Sequence, residues 1–461
     1  MERMKERSSF SSKMGFVMAA AGSAVGLGNI WRFPYLAAKY GGGTFLVVYI
    51  VLAVTFGFSL MVAEIAIGRK TGLSPIGAFK KLDKRFGFVG VLAALVPVII
   101  FPYYSVIGGW VIKYLVTFAT GGAAQAAGDT YFSEFTASTG EPILWFAVFI
   151  GATAIIVALG VEKGIEKVSK FMMPVLVLLT IIIAIYSCTI EGAGEGVKYY
   201  LLPQMEDFSA STVVAAMGQM FYSMSLAMGI MITYGSYMKK ENSLEGAVRQ
   251  IEIFDTGVAF LAGLMIIPAV FAFSGGDESA LSAGPGLMFI TLPKVFNSMP
   301  AGGLIGALFF LMVLFAALTS SISLMETIVS VVMDKLGWKR KPTCILVLAI
   351  AVLMGLPSSL GFGLLNGISW QGLTILDIMD FASNSVLMPI VAFFTCVFVG
   401  FFLKPKVISE EVKVTNGSFK AEKLFKVMIK WICPVFMVLI LLSSVAGVMQ
   451  WDLGPFDFLK V

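Results

Sequence analysis

The chain has 461 residues, is 58% hydrophobic and only 13% charged, and has a mean hydropathy of +0.90; whole segments are apolar on every side, which excludes a soluble globular domain. Its net charge of +5 lies in short loops between those segments, so it is no nucleic-acid footprint. Histidine is absent and Cys188, Cys344, Cys396 and Cys433 are scattered, which removes the usual general base, the commonest metal ligand and any disulfide framework.

Residues 1–13 form a polar tail, too long before the first apolar run for a cleaved signal peptide. Eleven segments then reach the length of about 20 apolar residues that a spanning helix needs: 14–38, 43–69, 87–118, 143–160, 167–188, 211–237, 250–274, 303–334, 343–361, 373–403 and 427–449. With the N-terminus inside, 27 of the 33 Lys and Arg residues fall on the inner side, a positive-inside pattern that puts the C-terminus outside. The longer outer segments are 119–142, 189–210 and 275–302. The last contains GPGLMFITLPKVFNSM, which reads as a short helix dipping toward a vestibule or as a packed loop.

The first segment contains GSAVGLGNIWRFP, Gly22 to Pro34, where residues that weaken helices sit at membrane depth. The sixth contains YSMSLAMG, Tyr222 to Gly229, again with glycine and hydroxyl residues at mid-depth. Interrupted segments at matching places in two halves point to a transport site. Five spans per half is an odd number, so the topology allows 14–188 and 211–403 to be an inverted repeat, without proving one, with 427–449 as an additional C-terminal helix. Unwinding frees carbonyl oxygens, which suit a hard cation, and exposes half-helix N-termini, which suit a carboxylate. Such backbone is tolerated only where it is buried in protein or lines a cavity. Close helix packing alone would also use Gly22, Gly26 and Gly28, but does not ask for Asn29 and Arg32 in the same turn.

AAAGSAVGLGNIWRFPY and the following YGGGTF resemble the first-helix signature of the neurotransmitter–sodium symporter family, and the resemblance continues through GQMFYSMSLAMG, LFAALTSSISLME and LDIMDF. The nearest branch is the bacterial eleven-helix transporters of hydrophobic amino acids. The fold this implies is an all-α integral membrane protein of 11 transmembrane helices: two inverted five-helix repeats with helices 1 and 6 broken, plus one helix. The implied activity is sodium-coupled symport of an amino acid across the bacterial inner (plasma) membrane by alternating access; the chain is not expected to be an enzyme.

The resemblance also implies site residues. A first sodium site would use the Ala24 carbonyl, Asn29, Ser223, Asp255 and the substrate carboxylate. A second would use carbonyls of Gly22, Val25 and Ala316 with Thr319 and Ser320, although TSS also suits ordinary helix packing. A carboxylate deep in a span is expensive and defaults to function. Asp255 would supply permanently the charge that chloride brings in other members, and Ala259 offers an anion no hydroxyl, so chloride independence is expected. Gly26 stands where monoamine carriers have an aspartate, which favours an α-amino acid. Tyr104 would meet its carboxylate, and carbonyls around Ser223, Ser225 and Ala227 its ammonium. Gly28, Ile100, Met228, Ser320, Ser323 and Leu324 would shape a pocket for a hydrophobic or aromatic side chain, with Tyr222 as lid where the family has phenylalanine. Ala227 replaces the usual glycine, which would limit unwinding of the sixth span.

Arg32 and Asp380 would form an outer gate. Arg7 and Asp334 would form an inner one, with Phe10 wedging the tail and Tyr237 holding it; Arg7 also reads as a solvated tail charge. Glu64 and Glu326 read as buried hydrogen-bonding acids, Glu326 alternatively as a gate or proton carrier. Gly164 and Pro174 match the spacing at which the fifth span of bacterial members unwinds, or mark an ordinary kinked helix start. Rival classes lack support: there are no filter loops or charge rings for a channel and no nucleophile–base pair for an intramembrane enzyme, while a sensor without transport keeps the same fold.

Overall fold

The computed structural model describes residues 9–276, 285–415, 417–451 and 454. Among them regular structure is helical, apart from an isolated bridge between Trp370 and Leu373. The principal helices are α1 (Lys13–Ala24), α2 (Gly28–Lys39), α3 (Gly43–Thr71), α4 (Lys84–Ala119), α5 (Gly140–Ala158), α6 (Val161–Cys188), α7 (Ala210–Ser223), α8 (Ile230–Gly235), α9 (Leu244–Ser274), α10 (Gly302–Leu336), α11 (Arg340–Leu360), α12 (Ile375–Phe402) and α13 (Glu422–Met449). Nine of these are individually long and apolar enough to cross a membrane; α1 and α2 together make a tenth, bent by 54° at their junction. The sixth predicted segment, 211–237, is more deeply divided: α7 and α8 are separated by the six residues 224–229. Neither half has the length of a span.

Polarity runs inside out relative to a soluble protein. Ile155, Phe171, Ile345 and Leu353 stand exposed on outer faces, whereas Asn29, Glu64, Gln219, Asp255 and Glu326 are buried. A bilayer covers the first set at no cost, and the second must find partners within the bundle. The bundle is built around α4 and α10, which pack along each other, with α1 lying against α6, α9 and α10. α13 is the least buried span, packed on α12.

The segment 285–302 resolves the two readings of its sequence in favour of a short helix, Leu287–Thr291 running into Leu292–Ser298. Tyr114 hydrogen-bonds the Phe289 carbonyl at 2.8 Å. Lys294 pairs with Asp129 at 2.5 Å, and that hydrogen bond holds the exposed Asp129 carboxyl below the usual carboxylate range.

Candidate functional site

α1 stops at Ala24 because Val25 turns to extended backbone (φ −71°, ψ 97°). The chain resumes as the widened π-turn Gly28–Arg32. Asn29 spans the gap: its side-chain oxygen accepts from the Gly26 amide at 3.1 Å. The second break is sharper, with Ser225, Ala227 and Gly229 all in the left-handed region (φ 52°, 60° and 73°). A non-glycine residue there costs about 1–2 kcal/mol, and Ala227 adopts the left-handed conformation within the break nonetheless. Hydrogen bonds offset the strain, at about 0.5–1.5 kcal/mol each. Glu64 accepts from the Ala227 amide at 2.7 Å, and Ser225 donates to the Ser23 carbonyl at 2.8 Å, joining one break to the other.

Between the breaks lies an oxygen-rich cluster. Asn29 donates to Asp255 at 2.8 Å and to Ser223 at 3.2 Å. Ser223 donates to the Asp255 carboxylate at 2.8 Å, and Tyr49 lies 3.2 Å from Ser223 and 3.3 Å from Asp255. The residues expected at the first sodium site are thus brought together, with Ala24 on the adjacent cavity wall. Those expected at the second also converge: the Ser320 hydroxyl is 3.4 Å from the Gly22 carbonyl, 3.1 Å from that of Ser23 and 3.5 Å from that of Val25. Thr319 donates to the Ala316 carbonyl at 3.1 Å. Carbonyls and hydroxyls gathered this way are hard donors suited to an alkali cation.

The cavity beside these clusters leaves about 40 Å³ for water. Ala24, Gly26, Gly28, Ile100, Tyr104, Tyr222, Ser223, Ser225, Met228, Ser320 and Leu324 line it. Ala227 and Ser323 do not: Ala227 is turned to Glu64, and Ser323 is engaged by the Tyr234 hydroxyl at 2.8 Å and by the Thr319 carbonyl at 3.0 Å. Buried Tyr104 faces the cavity, and among the described residues its hydroxyl has no partner within hydrogen-bonding geometry, Ser320 and Leu27 being nearby. An orphan hydroxyl in a cavity wall is a waiting ligand contact. Gly28 is held to its residue type by contact: a Cβ there would stand 2.6 Å from the Tyr222 ring.

Above lies a larger cavity of about 350 Å³, sharing Leu27, Tyr104, Tyr222 and Asn384 with the smaller one. Tyr222 therefore sits in the partition between them. Arg32 and Asp380 both line the outer cavity but form no direct ion pair. The Arg32 guanidinium lies 5.2 Å from the centre of the Tyr222 ring, and Asp380 is held by Tyr103 at 2.9 Å and Asn384 at 2.6 Å.

At the opposite end Phe10 is buried, edge-on to Phe16, Tyr234 and Tyr237, and its amide donates to the Tyr237 carbonyl at 3.2 Å. The Tyr237 hydroxyl donates to Glu326 at 2.7 Å, and Glu326 is paired with Arg340 at 2.6 Å. Asp334 accepts from the Ser74 amide at 2.8 Å; its expected partner Arg7 lies outside the described residues. Gly164 falls within a π-helical start, Val161–Glu166, and Pro174 within the continuous helix that follows.

Sequence reading missed several contributors. Tyr49 is indistinguishable there from an interface aromatic, and Arg340 and Glu166, the latter accepting from the tail's Ser11 amide at 2.7 Å, sit among loop charges. Ser23, Leu27, Ile230 and Asn384, which also line the cavity, carry no signal beyond proximity to the breaks.

The profile of the Sodium:neurotransmitter symporter family matches residues 7–135 and 131–459. The chain is 36% identical over 447 residues to the uncharacterized sodium-dependent transporter YhdH of Bacillus subtilis, covering 95% of this chain and 97% of that one. It is 26% identical to the sodium- and chloride-dependent glycine transporter 2 of Xenopus laevis, covering 97% of this chain and 65% of that one. The crystal structure of MhsT in complex with L-phenylalanine superposes with a TM-score of 0.85 at 38% identity, covering 95% of this chain and all of that one. With both breaks, their oxygen clusters and these relatives in view, the chain belongs to the sodium:neurotransmitter symporter family: it is a sodium-dependent membrane transporter, not an enzyme.

Proposed function

We propose that this symporter takes up a hydrophobic or aromatic L-amino acid together with sodium at two sites, by alternating access and without chloride. The observation that carries the reading is the Asn29–Ser223–Asp255 cluster, set against frayed backbone from both breaks and opening on a cavity with an orphan tyrosine hydroxyl. The substrate's carboxylate completes the first sodium site and meets Tyr104; its ammonium takes carbonyls of the second break; Ile100, Met228 and Leu324 receive the side chain. L-Phenylalanine in MhsT supports this class. The second sodium is held by Gly22, Val25, Ala316, Thr319 and Ser320.

Asp255 supplies the negative charge that a chloride-dependent relative takes from the anion, and Ala259, one turn on, has no hydroxyl for chloride. Eleven spans arise when α1–α2 and α7–α8 each count as one, giving two inverted five-helix repeats and α13, with the N-terminus cytoplasmic and the C-terminus outside a bacterial inner membrane. Tyr222, Arg32 and Asp380 close the outer path; Phe10, Tyr237, Asp334 and the tail close the inner one. Uptake of radiolabelled phenylalanine into proteoliposomes tests this. An inward sodium gradient is expected to drive accumulation equally in chloride and in gluconate; uptake that vanishes in gluconate sinks the chloride reading.

A further inference from the structure

Two polar groups at the partition between the cavities want a partner, one on α7 and one on α12. Tyr222 lines both cavities. Its ring is held by Gly28, whose missing side chain leaves it room, and by the Arg32 guanidinium 5.2 Å from its centre. Among the described residues its hydroxyl takes part in no hydrogen bond, although it lies within electrostatic reach of Asp380. Asn384 also lines both cavities. It stands in the π-helical stretch Phe381–Leu387 of α12, a wide turn of a kind frequent at functional sites.

The Asn384 amide is fixed in one orientation. Asp380 accepts from it at 2.6 Å, and Tyr103, whose own proton goes to Asp380 at 2.9 Å, accepts from it at 3.0 Å. Both neighbours demand the NH2 group, so the amide oxygen is left as an acceptor. Among the described residues that oxygen is buried without a donor. An acceptor stranded in this way costs its full desolvation until a donor arrives. A closing lid meets the complementary cost. The Tyr222 hydroxyl leaves the water of the outer cavity and needs an acceptor of its own.

We infer that the Tyr222 hydroxyl donates to the Asn384 amide oxygen when the lid closes over the substrate, which makes Asn384 a positioning residue of the closed state. The inference rests on the substrate reading above and adds to it what retains the substrate. The partition is then shut by a specific pair rather than by ring packing alone. The pair also ties α7 at the second break to the turn of α12 that carries Asp380. A phenylalanine at 222 would fill the same space and leave the Asn384 oxygen unsatisfied.

Release of radiolabelled phenylalanine from the purified full chain in sodium, chased with excess unlabelled phenylalanine, reads the latch in a double-mutant cycle. Tyr222→Phe is expected to speed release about three- to tenfold in the unaltered chain, the worth of one neutral hydrogen bond, and less than about 1.5-fold in Asn384→Ala. Phenylalanine has no side-chain donor, so a direct contact between Asn384 and the substrate cannot mimic that dependence. Equal acceleration in both backgrounds overturns the latch, as does unchanged release in Tyr222→Phe. An unaltered chain that binds no phenylalanine in sodium removes the substrate reading, and the latch with it. Infrared difference spectra of protein isotope-labelled at the asparagine side-chain carbonyl follow the acceptor without altering Asn384, and so decide the matter even where Asn384→Ala does not fold. A downward shift on phenylalanine binding that Tyr222→Phe lacks is expected; identical spectra overturn the pairing.

Discussion

Asp255 holds three partners at once, Asn29, Ser223 and Tyr49, and the proposed cage needs its charge as much as its shape. Asp255→Asn keeps the shape. Losing one charged ligand is worth about 1.5–3 kcal/mol, so the sodium concentration for half-maximal uptake is expected to rise tenfold or more, and chloride is not expected to restore it because Ala259 holds no anion. At the second cluster one hydroxyl faces three carbonyls. Ser320→Ala removes an oxygen of the proposed cage, and a several-fold rise in the sodium requirement is expected, read by sodium-dependent thermal stabilisation. Gly28→Ala acts on the lid instead. Its Cβ meets the Tyr222 ring at 2.6 Å, so the ring must move; weaker substrate affinity with little change in sodium affinity is expected by equilibrium dialysis.

Among the elements, the two breaks were legible before any coordinates because they violate a local rule at a depth where lipid enforces it. Glycines with Asn29 and Arg32 in one turn, and hydroxyls around Gly229, mark them within a residue or two. What the sequence withheld was long-range pairing. That Glu64 would hold the Ala227 amide, 163 residues away, depends on how α3 passes the second break. That Arg340 would enter the bundle to meet Glu326 depends on α11 starting beside the end of α10. Arg32 and Asp380 share a cavity wall, but the Tyr222 ring, unforeseen as a cation's resting place, takes the guanidinium. At α6 the helix start is π-wound and tied to the tail, with the Ser11 amide donating to Glu166 at 2.7 Å. Wide turns at a functional helix are weak points. We expect Pro174→Ala, which restores a ladder hydrogen bond, to slow turnover several-fold at saturating substrate while leaving equilibrium sodium binding unchanged; unaltered turnover would remove α6 unwinding from the transport cycle.

At the scale of the whole molecule, Asn29, Glu64, Asp255 and Glu326, buried in the bundle, are held by partners from other segments, while exposed apolar side chains such as Ile345 and Leu353 cover the outer faces. The two breaks meet at Ser225 and Ser23, so the proposed zwitterionic substrate would touch both halves of the chain. In the alternating access proposed above, one cavity would close and the other open by relative movement of α1–α2 and α7–α8 against the remaining bundle, the behaviour of broken-helix transporters around a midplane site. Because the substrate carboxylate is itself a proposed sodium ligand, coupling must be reciprocal: each ligand tightens the other by the same factor. Equilibrium dialysis of purified protein against radiolabelled phenylalanine and sodium measures both directions. The account predicts equal factors, at least tenfold, abolished together in Asp255→Asn; phenylalanine binding that is the same in sodium and in potassium would contradict it.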